Sequence, residues 1–184
     1  MSTLKVNNID TVSGTNISIA SGKTFSATGH VIQVQSFVLT SATTIASNSF
    51  TDTGLACSIT PSSTSNKILI TGFLNCGADY FKSHIILLRG STTLSIADAS
   101  GSRPQVYSAS HPGGSDWDSY ATTPVALNLL DSPNTTSSVT YKVQCKAYQG
   151  ATGTASINRT QADRNSSTFD VRTVSVITLQ EIAQ

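Results

Sequence analysis

Short stretches in which apolar and polar residues alternate run along this chain, separated by turn residues. In residues 55–59 the apolar side chains Leu55, Cys57 and Ile59 alternate, and the pattern stops at Pro61. The stretch 67–76 carries apolar residues on both faces, which predicts a strand covered on two sides. No stretch shows the 3.6-residue apolar repeat of an amphipathic helix. The pattern predicts an all-β fold, an antiparallel β-sandwich or jelly roll.

The predicted strands lie between His30 and the C-terminal end, with turn residues between them. They cover residues 31–40, 55–59, 67–76, 84–89, 93–97, 125–130, 139–147, 155–159 and 168–182. Gly90 opens a short loop of hairpin length between two of them. The gap from Ala99 to Ala121 contains Pro104, Pro112 and Gly113 and is predicted to be a loop. Loops of this length inside a compact domain are usually functional or mobile.

The first segment, residues 1–29, has a different pattern from the rest. Short apolar pairs alternate there with Gly and Asn, and its apolar positions are Leu4, Val6, Ile9, Ile17, Ile19 and Phe25. Strands this short are marginal in water unless they pack on another surface. We therefore expect residues 1–29 to form an N-terminal stem that attaches the protein and packs against other copies, and residues 30–184 to form the head domain. Disorder is the alternative for the stem.

Composition excludes several classes of partner. Serine and threonine make up 55 of the 184 residues, charged residues are 11%, and the net charge is +1 with no basic run, so nucleic acid is a poor partner. No stretch reaches the ~20 apolar residues of a membrane helix, and no membrane insertion is expected. The three cysteines, Cys57, Cys76 and Cys145, lie within apolar strand patterns and are interpreted as reduced, buried side chains.

Candidate chemistry is sparse, and we expect no catalytic residue, no metal site and no cofactor. His111 lies near Asp116 and Asp118, but no nucleophile elbow of the Gly-x-Ser-x-Gly type accompanies it. The two aspartates lack the third acid and terminal Glu of an EF-hand loop. The sequence therefore predicts a protein that is not an enzyme.

Aromatic residues outside the predicted strands are more informative. Rings next to Asp and Asn are suited to stacking on sugars and to bonding their hydroxyl groups. The candidates for binding a receptor or glycan are Tyr107, His111, Asp116, Trp117, Asp118 and Tyr120. The alternative is that the rings pack in a subunit interface, where Tyr and Trp are enriched. That alternative has more weight, because the stem already requires other copies.

Several runs carry a resemblance to a known family. Residues 1–9, 16–29, 88–92, 130–136 and 177–182 resemble tail-fibre-type virion structural proteins of marine bacteriophages, including cyanophages. The resemblance implies a virion protein made in the host cytoplasm, with an N-terminal stem and a trimeric jelly-roll head of tumour-necrosis-factor or C1q shape. It implies homotrimer formation, attachment to tail or capsid proteins, and binding of a host surface glycan or protein. It carries over no catalytic residues.

Two functions follow from this resemblance. The first is a short fibre or spike subunit that binds the host through its head loops. The second is a capsid decoration or cement protein (a head fibre). Because long tail fibres have much longer shafts, the short stem favours a short appendage, a terminal adaptor or a capsid decoration. A third hypothesis, a spike that cleaves glycans, is less favoured than these two, because the sequence has few of the clustered carboxylates that glycosidases use.

Overall fold

A computed structural model describes residues 27–78, 83–110, 120–147 and 153–184. These residues form two antiparallel sheets that pack face to face, so the predicted all-β sandwich is confirmed. The strands are β1 (Val31–Leu39), β2 (Thr43–Ile45), β3 (Thr51–Ile59), β4 (Lys67–Ala78), β5 (Ser83–Arg89), β6 (Thr92–Leu94), β7 (Ser108–Ser110), β8 (Thr123–Asp131), β9 (Val139–Ala147), β10 (Ala155–Ile157) and β11 (Ser175–Ile182).

The first sheet is built around β4. On one side β4 pairs with β11, which pairs with β1, and on the other side it pairs with β8. Cys76 pairs with both Thr123 of β8 and Ile157 of β10, so the short β10 lies on the same side of β4 as β11. Strand β2 pairs with the free edge of β10.

The second sheet has the order β3, β9, β5, β6, with β7 also paired to β5. Its inward side chains alternate as the sequence pattern predicts. Thr53, Leu55, Cys57 and Ile59 of β3 are buried, while the residues between them are more exposed. Apolar residues of both sheets meet in one core, which includes Leu55, Ile68, Ile70, Leu74, Ile85, Leu87, Leu127, Tyr141, Val143, Ile177 and Leu179.

Two differences between the predicted and observed elements are larger than the shifts of a few residues at other strand ends. The strand predicted over 168–182 begins only at Ser175, and residues 168–174 belong to a loop. The predicted loop 99–121 contains β7, which pairs with Ser83–Ile85. The sequence Ser-Ala-Ser of β7 has no apolar alternation, so its pairing depends on the neighbouring strand rather than on its own pattern.

Glycine is required where β4 and β11 approach each other. Gly72 has a φ of +141°, and a Cβ atom there would lie 2.1 Å from the backbone oxygen of Val176. The two strands could therefore not keep this spacing with any side chain at position 72. The contact lies where Gly72 of β4 pairs with Ile177 of β11, within the first sheet.

The chain enters the head at one end of the first sheet, which we call the near end. The Gly29 amide donates a hydrogen bond to the Ala183 carbonyl (2.8 Å), and the Ala183 amide donates to the His30 carbonyl (2.9 Å). The opposite, far end lies where Leu39 pairs with Ser175. The two ends are about 25 Å apart along β11. The stem positions Leu4, Val6, Ile9, Ile17, Ile19 and Phe25 lie outside the described residues.

The outward surfaces of the two sheets differ in character. That of the second sheet includes the polar residues Asp52, Lys142 and Gln144, while Ile86 and Leu88 in the same rows are buried. That of the first sheet, over β1, β11, β4 and β8, we call the outer face. It is formed by the paired residues Val34, Gln180, Leu69, Leu130, Ser36, Thr178, Thr71, Asn128, Val38, Val176, Phe73 and Ala126. None of these twelve residues is charged, but Lys67, paired with Ile182 in the adjoining row, adds one cation at the near end of the face. Val34, Val38 and Leu130 are exposed.

Candidate functional site

A loop of residues 158–174 joins β10 to β11 at the far end, and a buried polar hub fixes its base. Asn158 is fully buried with a φ of +58°. Its Nδ2 donates to the carbonyls of Leu39 (2.8 Å) and Ser41 (3.0 Å), and its Oδ1 accepts a hydrogen bond from the Ser175 hydroxyl (2.6 Å). A buried amide is stable only with its bonds made, so the hub ties this far-end loop to β1 and β11.

The far-end loop also packs closely against β4. A Cβ atom at Gly77 would lie 2.5 Å from the backbone oxygen of Arg159. The Asn158 amide donates to the Asn75 carbonyl of β4 (3.0 Å), and the Thr173 amide donates to the Asn158 carbonyl (3.0 Å). Both ends of the loop are therefore held against the sheet, which positions the side chains between them.

Ion pairs organise those side chains. The Asp163 carboxylate forms two ion pairs, from Oδ2 to Arg159 Nη1 (3.2 Å) and from Oδ1 to Arg172 Nη2 (2.7 Å). Asp170 pairs with Arg164, whose Nε lies 3.4 Å from Oδ2. Exposed ion pairs contribute little stability one at a time, but a shared carboxylate fixes the position of two guanidinium groups.

Asp170 is the more protected of the two acids. Its side chain is only 8% exposed, and its Oδ1 accepts a hydrogen bond from the Thr160 hydroxyl (2.7 Å). This hydrogen bond, together with the Arg164 guanidinium, holds the pKa of Asp170 below its ordinary value. The carboxylate is therefore ionised throughout the neutral range.

Two aromatic rings adjoin the charged cluster. The centroids of Tyr120 and Phe169 lie 5.6 Å apart at an interplanar angle of 37°. The Arg164 guanidinium lies 4.3 Å from the Tyr120 centroid and 5.7 Å from the Phe169 centroid. A cation over an aromatic face is attractive, so Arg164 links the ring pair to the ion pairs.

A surface cavity of about 380 Å³ opens within this loop. Its lining residues are Asp163, Arg164, Asn165, Ser166, Ser167, Asp170, Val171 and Arg172. The cavity has the size range of a small-ligand site, and its lining combines cations, amides and hydroxyls. We call the cavity and the Tyr120–Phe169 pair the far-end site.

The structure places the predicted receptor residues in different positions. Tyr120 belongs to the far-end site. Tyr107 lies away from it, beside the edge of β8. His111, Asp116, Trp117 and Asp118 lie outside the described residues.

Sequence reasoning missed most of the far-end site. Residues Arg164, Phe169 and Arg172 fall in or beside the stretch that was predicted to be the start of the last strand. A usable signal was present, because residues 158–174 hold three of the five arginines together with two aspartates and several Asn and Ser residues. Such a mixture is typical of a loop.

Tyr107 has a structural role at the open edge of the first sheet. Its hydroxyl accepts a hydrogen bond from the Asn128 amide (2.9 Å) and donates to the Asn128 carbonyl (3.2 Å). Its own amide donates to the Ile85 carbonyl of the second sheet (3.0 Å). The ring therefore joins the two sheets and covers part of a free strand edge.

Replacing Tyr107 with phenylalanine is expected to lower the free energy of unfolding by about 1 kcal/mol, because two hydrogen bonds to the β8 edge are lost while solvent can partly replace them. Urea unfolding of the full chain would measure the change. If Tyr107 were a receptor contact instead, the variant would keep its stability and lose binding to host cells.

A second groove lies at the near end. The structure brings together the Arg89–Ser91 turn and the 132–138 loop, which line a cavity of about 460 Å³. Asp131 accepts hydrogen bonds from Arg89 Nη1 and from the Tyr141 hydroxyl, both at 2.7 Å. These bonds join the two sheets, so the charged groups here are engaged in holding the fold.

Nucleophilic and metal chemistry have little support in the described part of the chain. Cys57, Cys76 and Cys145 are buried and free, and burial raises the pKa of the Cys145 thiol to about 12 and that of Cys76 well above its ordinary value. No three His, Cys, Asp or Glu side chains among the described residues are grouped to hold a metal ion. Over the same residues, no helix has the length and apolar character needed to cross a membrane.

No protein-family model matches the sequence, and no curated protein resembles it at a significant level. The far-end site is therefore interpreted from its own geometry.

Proposed function

We propose that this chain is a non-enzymatic structural protein of a bacteriophage virion. It is a short trimeric fibre or spike subunit that attaches to the particle through its N-terminal stem and binds the host surface through the loops of its head. Its partners are two further copies of itself, a tail or capsid protein, and a host glycan or protein.

The observation that carries this proposal is that the chain enters the head at one end of the sandwich while the far-end site lies at the other. The chain enters at the near end, where Gly29 bonds to Ala183, while the far-end site is built on the Ser175 end of β11. A subunit held by its N-terminal segment would thus present Arg164, Phe169 and their cavity away from the particle. Rigid scaffolds that present loops at one end are a common arrangement for recognition.

Strand order supports a jelly-roll head. Among the longer strands and β6, the first pairs with the last (β1 with β11), β3 with β9, β4 with β8, and β5 with β6. This nested pairing is what a long antiparallel hairpin gives when it wraps into two sheets. The order is compatible with the head shape that the phage resemblance implies.

The outer face supports assembly with other copies. A sandwich buries one face of each sheet in its own core, and an exposed apolar face then marks an interaction surface. Here exposed Val38 pairs with Val176, which pairs with Phe73, and the face has a single cation, Lys67, in its row at the near end. A second copy of the chain is the partner that matches a largely uncharged face without requiring opposite charge. The number three comes from the resemblance to trimeric fibre heads.

Deletion of residues 1–26 tests the attachment. The truncation keeps the Ala27–His30 turn and the Gly29–Ala183 bond, so the head should unfold at the same urea concentration as the full chain. We expect the truncated protein to be absent from purified particles, with the full chain expressed in parallel as the control. Incorporation of the truncated protein at normal levels would show that the stem assignment is wrong.

Counting copies per particle separates the proposal from the second function, a capsid decoration protein. A fibre or spike is present in a small multiple of three, whereas a decoration protein covers the capsid in hundreds of copies. Quantitative mass analysis of particles with and without their tails would give both the number and the location.

A further inference from the structure

We propose that the far-end site binds an acidic sugar, whose carboxylate or sulfate group is held by Arg164 and Arg172. The inference rests on the proposed function, since it names the ligand class of the same host-facing surface. It begins from the charges that line the cavity, the arginines Arg164 and Arg172 and the aspartates Asp163 and Asp170. A third arginine of the loop, Arg159, does not line the cavity and pairs with Asp163.

The acids of the loop are already engaged by cations and a hydroxyl. Asp163 is shared between Arg159 and Arg172, and Asp170 is mostly buried against Thr160 and Arg164. Both oxygens of each carboxylate are thus engaged, although the Asp163 side chain is 38% exposed. The cavity is therefore poorly suited to amines and better suited to anions.

The cations, in contrast, are accessible. The Arg172 side chain is 63% exposed and the Arg164 side chain is 48% exposed, and both line the cavity. Among the described residues, each guanidinium pairs with one aspartate, Arg172 with Asp163 and Arg164 with Asp170. A planar guanidinium carries five N–H donors and binds carboxylate or sulfate oxygens in pairs, so donors are left for a ligand.

The remaining lining favours a sugar over a simple anion. Asn165, Ser166 and Ser167 supply amide and hydroxyl groups for sugar hydroxyls. Phe169 is 45% exposed and lies beneath Arg164, which gives an apolar ring next to the anion-binding group. An acidic monosaccharide unit needs this combination of a charged anchor, hydroxyl partners and an apolar face.

Titration calorimetry on the full chain, with three defined oligosaccharides, tests the inference. The probes are trigalacturonate, which carries carboxylates, a sulfated galactose trisaccharide, and neutral maltotriose. We expect at least one acidic probe to bind at least about tenfold more tightly than maltotriose. Binding of both acidic probes supports recognition of the anion, and binding of one identifies the group. Equal binding of all three, or no binding, would overturn the inference.

Matched charge variants locate the binding. Arg172→Gln removes an exposed cation from the cavity and leaves Asp163 paired with Arg159, so we expect about a tenfold loss of acidic-probe binding with little change in stability. Arg103→Gln is the matched control, because it also removes one positive charge, from the exposed 95–107 loop where Arg103 bonds to Ser100. It should change binding of the acidic probes less than twofold. If both variants lost acidic-probe binding equally, the loss would reflect the net charge of the protein, and the proposed binding site would be wrong.

Host-cell binding distinguishes this inference from the proposed function. If Arg172→Gln impairs binding of the full chain to host cells while no acidic sugar binds, the host-binding surface is right and the ligand class is wrong. If the wild-type chain does not bind host cells at all, host binding itself fails, whatever the sugars show.

Discussion

Replacing Glu181 with alanine is expected to lower the free energy of unfolding by roughly 3 to 4 kcal/mol. Glu181 is fully buried near the end of β11. Its Oε1 accepts hydrogen bonds from the Ser62 amide (2.7 Å), the Ser62 hydroxyl (2.8 Å) and Asn66 Nδ2 (2.6 Å), and its Oε2 accepts one from Gln33 Nε2 (2.7 Å). The side chain thus joins β1, β11 and the turn between β3 and β4, and its removal would leave buried donors without an acceptor.

The same carboxylate makes stability depend on pH. Burial alone would raise the pKa of Glu181, but the hydrogen bonds from Asn66, Gln33 and Ser62 outweigh it and lower the pKa below its ordinary value of 4.5. Because the folded-state pKa is the lower one, this stabilisation is present above about pH 4.5 and is lost as the pH falls through the folded pKa. Acid unfolding followed by circular dichroism would show the loss.

Two variants make this test specific. Glu181→Gln keeps the shape but turns one oxygen into an amide donor that meets the donor of Gln33, so it should destabilise the fold and flatten the acid dependence. Asp52→Ala removes an exposed carboxylate that is also paired, with Lys142 and Gln144, and should cost less than about 1 kcal/mol. If both acid-to-alanine changes cost the same, the network around Glu181 is not what stabilises the near end.

The double change Val38→Asp and Leu130→Asp is expected to convert the proposed trimer into a folded monomer. Both side chains are about half exposed on the outer face, at 49% and 50%, so the isolated head should tolerate them. In an assembly that covers this face, each carboxylate would be buried without a partner, which costs several kcal/mol per site. We expect association to weaken by at least about a thousandfold.

Analytical ultracentrifugation at micromolar concentration would measure the assembly, and circular dichroism would confirm that the variant is folded. Ile96→Asp is the matched control, because Ile96 is 47% exposed but lies after β6 and not on the outer face. A wild-type chain that sediments as a monomer would contradict the proposed trimer. A double variant that stays trimeric would place the interface elsewhere.

The strands were largely predictable because each depends on a local pattern. Alternation of apolar residues, as in Leu55, Cys57 and Ile59, specifies which side chains face a core, whatever the partner strand is. The same pattern indicated that β4 has two apolar faces, and the structure shows Ile68 and Ile70 buried while Leu69 is on the outer face. The short strands β2 and β7 were missed because three residues carry no period.

The far-end site was not predictable in the same way. The sequence indicates Tyr120 as a loop aromatic, but its neighbours Arg164 and Phe169 are more than forty residues away in the sequence. Their meeting depends on the Asn158 hub and on the close approach at Gly77, which are properties of the packed chain. The resemblance to phage fibre proteins gave a function to propose and no residue of this site.

The sequence by itself determined the all-β class, most strand positions and the low charge of the surface, because these follow from residue types and their spacing of two. Only the tertiary structure decided which polar groups are buried. Glu181 stands in an ordinary alternating strand, and its burial follows from the donors that β1 and the β3–β4 turn bring to it. A polar side chain can be buried only where partners from distant segments satisfy it, and that condition cannot be read from its neighbours in the sequence.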